Sequence, residues 1–171
     1  EKIDEKIKID IKTKFNIKND YFIYSAWDWV EKNYEKLIHV FSMLKKENIN
    51  VDLVFIWDSI SKNISLRNII IESKMQDNIH FLWVIKNSEK ILFYKNSLWV
   101  IYPSFYEPFP FSLTEAVFLD IPIISSELKS VSNIFNDKIE YFSPISINNI
   151  FQKIKFFVQN NKEKKVSYDD I

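Results

Sequence analysis

Two glutamates, Glu107 and Glu115, flank the stretch of this chain best suited to chemistry. The segment runs Pro103-Ser104-Phe105-Tyr106-Glu107-Pro108-Phe109-Pro110-Phe111-Ser112-Leu113-Thr114-Glu115. Its prolines, 103, 108 and 110, stiffen the backbone. A helix is expected to open near Phe111 or Ser112, placing Glu107 in the loop and Glu115 one turn inside. The free N–H groups and positive dipole end of such a helix favour an anionic phosphate. Both carboxylates can then face one cleft. Taken singly, each has an ordinary explanation: a glutamate early in a helix complements the dipole, and one in an exposed loop is usually just solvated.

Other reactive side chains form no constellation. His39 and His80 lie 41 positions apart, without the spacing of metal ligands. Cysteine is absent, which excludes disulfides, thiolate metal sites and a thiol nucleophile. The Ser and Thr residues near Glu107 lack an evident triad partner. Trp99, inside a strand-like run, reads as core filling. Trp27, Trp29 and Trp83 fall in loops on the cleft side and suit stacking on a ligand equally well.

The elements that would position the glutamates follow from periodicity. Short β-rich runs at residues 21–25, 51–56, 79–82, 98–102, 122–125 and 139–142 are mostly continuous apolar stretches, the pattern of parallel strands buried on both faces. Helical periods alternate with them at 32–46, 66–75, 88–95, 111–119 and 146–159. In the first helix, Tyr34, Leu37, Ile38, Val40, Phe41 and Leu44 recur largely at three- and four-residue spacing as one apolar stripe. Alternation of this kind predicts an α/β, Rossmann-like doubly wound parallel sheet of about six strands. Ligands of such sheets bind beyond the carboxyl ends of the strands. That singles out the 103–115 loop and the loop after the first strand, Ser25 to Asn33. Residues 1–20 read as a linker or interdomain segment, 21–160 as the domain, and 161–171 as a polar tail.

Bulk properties narrow the field. A chain of 171 residues holds one well-packed domain. Its formal net charge of zero argues against a nucleic-acid partner. A charged start and the lack of any long apolar run predict neither a signal peptide nor a membrane span, so a cytoplasmic location is expected. The Lys162–Lys165 run is most simply solvated; the alternative is peripheral contact with an anionic membrane. One feature is anomalous. Average usage of about 7 % predicts roughly a dozen glycines, and there are none. Lys, Asn, Ile and Phe abound while Ala and Arg are scarce, as an A/T-rich coding sequence would give. Positions needing positive φ must then use Asn or Asp; Asn48, Asn50, Asn78, Asn136 and Asp137 are placed to serve.

Pro103-Ser104 followed by Glu107-Pro108-Phe109…Glu115-Ala116 resembles the signature of a large family of retaining glycosyltransferases of the GT-B type, glycosyltransferase group 1 or family 4. Supporting blocks recur in order: Phe22-Ile23-Tyr24 into Lys32-Asn33, Val54-Phe55-Ile56, Asn78-Ile79-His80-Phe81-Leu82, and Ile121-Pro122-Ile123-Ile124-Ser125-Ser126. The resemblance implies the donor-binding, C-terminal half of such an enzyme, facing an N-terminal acceptor domain that this sequence lacks. By position, Glu107 corresponds to the catalytic glutamate at the donor sugar and Glu115 to the one binding ribose hydroxyls. Lys32 corresponds to a lysine at the diphosphate. Amides of Phe109, Phe111 and Ser112 correspond to those holding sugar and phosphate. The implied reaction moves a hexose from a nucleoside-diphosphate sugar to a saccharide or lipid-linked acceptor with retention. A lysine and a helix dipole stabilise the leaving diphosphate, so no metal and no cofactor are expected.

Departures from the family pattern cluster in the same loops. Ala26-Trp27 replaces a glycine-arginine, removing the second diphosphate cation. Trp57-Asp58, Trp83, Pro110 and Asp120 stand where the family has glycines. Glycine lets backbone approach a ligand closely, so the site is either rebuilt around aromatic side chains or weakened. Two alternatives therefore stand beside the enzyme: a catalytically inert glycosyltransferase-like module serving protein association, and an unrelated doubly wound nucleotide binder.

Overall fold

The computed structural model describes residues 11–25, 30–56, 63–82, 85–160 and 168. Six strands, β1 (Asp20–Tyr24), β2 (Val51–Ile56), β3 (Ile79–Leu82), β4 (Trp99–Tyr102), β5 (Ile123–Ser126) and β6 (Glu140–Phe142), form one sheet. Every neighbouring pair is parallel, in the order β3-β2-β1-β4-β5-β6. Helices α1 (Tyr34–Lys46), α2 (Ile64–Glu72), α3 (Asn87–Asn96), α4 (Phe111–Phe118), α5 (Lys129–Phe135) and α6 (Ile147–Asn160) fill the connections and follow the last strand. This is the doubly wound α/β architecture the alternation predicts.

The continuous apolar runs are buried as expected: β2, β4 and β5 are buried along their whole length. Trp99 is a core residue, its ring 4.6 Å from that of Phe157 on α6. On α1 the stripe Leu37, Ile38, Phe41 and Leu44 is buried, and the helix packs against both α2 and α6. Helix α5 escapes the sequence reading. Its Lys-Ser-Val-Ser-Asn-Ile-Phe has modest helix propensity, and its apolar contribution is the single i, i+4 pair Val131 and Phe135, both buried.

Positive φ is taken up as a glycine-free chain requires. Asn48 and Asn136 adopt it as expected, and so do Asn16, Asn33, Lys74 and Asp120. Asn50, Asn78 and Asp137 do not; Asn78 instead spends its side chain on hydrogen bonds. Asp120, φ 52, occupies a left-handed position where the family pattern has glycine.

Chain outside the sheet also joins the core. A helical turn at residues 11–14 precedes β1, with Ile11 and Ile17 buried. Asn19 then donates twice to the fully buried Asp52 of β2, side chain at 2.9 Å and backbone at 3.3 Å. Near the other terminus, buried Tyr168 donates its hydroxyl to the Ile121 carbonyl at 3.0 Å.

Candidate functional site

The strand order reverses between β1 and β4. A crevice opens at such a switch point because the connections leave in opposite directions. The loops after these two strands are fastened together there. Phe105 donates its amide to the Glu31 carbonyl at 2.8 Å. Asn33, in the left-handed region at φ 58, aims its side-chain amide at the carbonyls of Pro103 (2.9 Å) and Pro144 (3.1 Å). That conformation separates a 3-10 turn, Val30–Lys32, from α1. The single helix expected from residue 32 onward therefore starts two positions later, and Lys32 turns inward. The Tyr24 hydroxyl fixes it by donating to the Lys32 carbonyl at 2.9 Å.

At the centre, Lys32 Nζ lies 2.6 Å from Glu107 Oε2, with both side chains less than a tenth exposed. Tyr102, the last residue of β4, completes a triangle: its hydroxyl accepts from Lys32 Nζ at 3.2 Å and donates to Glu107 Oε2. The other carboxylate oxygen, Oε1, accepts the Phe109 amide at 3.3 Å, while Ser130 at the start of α5 donates to the Glu107 carbonyl. Burial by itself would lower the Lys32 ammonium. The hydrogen bond to Glu107 and the influence of Tyr102 outweigh it, holding the ammonium above its ordinary value. Burial, then the bond to Glu107, push the Tyr102 phenol up, so it stays a neutral donor.

Helix α4 opens at Phe111 after Pro110, with no side-chain cap. Of the three amides assigned by resemblance, Phe109 serves Glu107 and Phe111 donates to the Phe109 carbonyl at 2.9 Å. The Ser112 N–H has no hydrogen-bond partner among the described residues. The Phe109 and Phe111 rings pack at 4.5 Å, and both are substantially exposed.

Glu115, one turn along α4, reaches different partners. Its Oε1 is 2.6 Å from Lys90 Nζ and its Oε2 accepts from Tyr94 OH at 3.2 Å, both from α3. Burial and then Glu115 raise the Tyr94 phenol. Glu115 is 45 % exposed and lines an open hollow of about 310 Å³ between α3 and α4, with Ile91 and Phe118. The structure thus brings Lys32 and Glu107 into direct contact and leaves Glu115 in an adjoining compartment with its own cation. The sequence alone assigned no role in the site to Tyr102, Lys90, Tyr94 or Asn33. The signal available for Tyr102 was its place immediately before Pro103-Ser104; nothing local marks Lys90. Ala26, Trp27, Trp29, Trp57, Asp58, Trp83 and Val84 lie outside the described residues. Among the described residues, no group of three His, Asp or Glu is placed to hold a metal ion, and no helix is long and apolar enough to cross a membrane.

Comparison with known proteins agrees with this fold. The chain is 24 % identical over 128 residues to the O-antigen chain mannosyltransferase RfbU of Salmonella typhimurium, covering 74 % of this chain and 35 % of the relative. It therefore spans about a third of that relative's length. Among solved structures it is similar to the Anabaena protein HepE in complex with UDP-glucose, with a TM-score of 0.80 at 12 % identity over 94 % of this chain and 45 % of that one. It is also similar to the C-terminal domain of a glycosyl transferase group 1 protein, LpcC, from Francisella tularensis. There the TM-score is 0.74 at 17 % identity, covering 94 % of this chain and 90 % of that domain. The family described as glycosyl transferases group 1 matches residues 5–169, nearly the whole sequence, and the chain belongs to that family.

Proposed function

We propose that this chain binds a nucleoside-diphosphate hexose. We propose further that the whole protein transfers the hexose to a saccharide or lipid-linked acceptor, with retention and without a metal ion. The observation that carries this reading is the Lys32–Tyr102–Glu107 triangle at the switch point, beside the uncapped start of α4. Transfer builds positive charge on the sugar ring and negative charge on the departing diphosphate. Glu107 is the carboxylate for the first. Lys32 and the α4 N-terminus, with the Ser112 amide, are the groups for the second. Glu115 takes the ribose hydroxyls from the α3–α4 side. The activity named for RfbU and the UDP-glucose bound by HepE support a hexose donor. An upstream acceptor domain, such as a GT-B enzyme needs, supplies the other wall of the cleft.

Titration calorimetry with UDP-, GDP- and ADP-hexoses tests the donor step. We expect one of them to bind at or below about millimolar concentration, with no change on adding EDTA. Silence from the whole panel would turn the assignment towards an inert module in protein association.

A further inference from the structure

A second hollow, of about 320 Å³, opens between the starts of α1 and α2 and the Phe105 side of the loop after β4. Lys32, Tyr102, Glu107 and Glu115 do not line it, so it stands apart from the donor site proposed above. Its volume is at the lower end of the roughly 300–1,000 Å³ usual for small-molecule sites. Leu66 and the rings of Tyr34 and Phe105 supply apolar wall. The Phe105 ring is 39 % exposed, and its backbone is fixed by the amide bond to the Glu31 carbonyl. Asn33, Glu35 and Lys36 supply the polar groups. Asn33 is almost fully buried, with Nδ2 committed to the carbonyls of Pro103 and Pro144. Its Oδ1 is left as an acceptor with no hydrogen-bond partner among the described residues. Lys36 Nζ lies 4.6 Å from the centre of the Phe105 ring and donates to the carbonyls of Ile145 (3.1 Å) and Pro144 (3.4 Å). An ammonium has three N–H groups, so one remains. Glu35 is exposed and adds a carboxylate at the rim.

A spare donor, a buried acceptor and a carboxylate around an apolar wall match a ligand made of hydroxyls, each of which both donates and accepts. The negative face of an aromatic ring suits the C–H groups of a pyranose. The charges of Lys36 and Glu35 cancel, so these walls bring no net attraction for a phosphate. A lipid chain would strip water from all three polar groups without pairing them, which is costly. Location adds the role. Asn33 follows Lys32, and Phe105 lies two positions before Glu107, so a ligand seated here borders the triangle at which the hexose is transferred. We propose that this hollow is a subsite for a neutral saccharide acceptor, carried by the donor-binding chain itself. The proposal rests on the donor reading above and names the acceptor as carbohydrate, held by Asn33, Glu35, Lys36 and Phe105.

Amide NMR on the 171-residue chain, titrated with mannobiose, maltose and lactose, tests it. At least one disaccharide should shift the signals of Asn33, Lys36 and Phe105, with a dissociation constant of about 10 mM or below. UDP-, GDP- and ADP-hexoses, titrated separately, should act on Ser112 and Glu115 instead. Phe105→Ala and Glu35→Ala should each weaken the disaccharide about tenfold and leave the hexose nucleotide within about twofold. Glu35→Ala decides the matter if circular dichroism shows Phe105→Ala unfolded. No shift from any disaccharide up to about 50 mM overturns the proposal, as does disaccharide binding undiminished in the folded variants. Shifts of the same three signals by decyl phosphate alone also overturn it, giving the hollow to a lipid headgroup. Nucleotide binding without disaccharide binding leaves the donor reading standing and sinks this one. Disaccharide binding without binding of any hexose nucleotide sinks the donor reading, and the acceptor role with it.

Discussion

A buried ion pair is informative for what happens when half of it is removed. Lys32 and Glu107 are both largely withdrawn from water, so truncating one leaves a charge with no solvent to accept it. Lys32→Met should cost about 3–5 kcal/mol in urea unfolding, and adding Glu107→Gln should restore most of that loss. The pair's contribution has a defined pH range. The ammonium sits above its ordinary value of 10.5 when folded, so on the alkaline side its share of the stability holds up to 10.5 and is lost as pH rises through the raised value. Glu115 should behave in the opposite manner. Its carboxylate is 45 % exposed, so the bridge to Lys90 contributes about 0–1 kcal/mol. Glu115→Gln should barely move the melting temperature while weakening hexose-nucleotide binding by about tenfold, readable by calorimetry.

At the scale of elements, a chain without glycine puts asparagine in the left-handed region. Asn33 both turns the backbone between the 3-10 turn and α1 and ties that turn to the loops at Pro103 and Pro144. The far end of the sheet has its own anchor. Asp52 on β2 accepts from Asn19, Asn78 at 2.9 Å and His80 at 3.1 Å, joining the segment before β1 to the start of β3. Burial would raise this carboxyl, but the bonds from His80, Asn19 and Asn78 outweigh it and hold it below its ordinary 3.8. A depressed carboxylate stabilises the fold above its unfolded value and loses that effect as pH falls through the folded one. Denaturation midpoints followed from about pH 5 to about pH 2 should drop less steeply in Asp52→Asn than in the unsubstituted chain.

For the whole molecule, the switch in strand order decides where function can reside. β1 and β4 are neighbours in space although 75 positions separate Tyr24 from Trp99, where β4 begins: Phe22 pairs with Trp99 and Ile23 with Val100. Those pairings align the ends of the two strands, so Lys32 and Glu107 meet. Closure of the fold also draws on residues near the end of the chain. Tyr168 is buried and bonds to Ile121, ahead of β5. Removing residues 161–171 should therefore lower stability by about 1–3 kcal/mol, a fall in melting temperature measurable by calorimetry.

Local pattern determined the parallel sheet, its strands and five of the six helices labelled among the described residues, because burial on both faces writes continuous apolar runs and amphipathic stripes directly into sequence. It also marked Glu107, Glu115 and Lys32, through residue types at a spacing shared with a known family. It could not show that Lys32 and Glu107 are partners, that Tyr102 bridges them, or that Lys90 holds Glu115. Each of those contacts joins residues from different elements, and the alignment of β1 with β4 and the packing of α3 beside α4 arise only when the chain closes on itself. Helix α5 was hidden for a related reason: two buried side chains are too few to make a periodic signal, and tertiary packing supplies what propensity lacks.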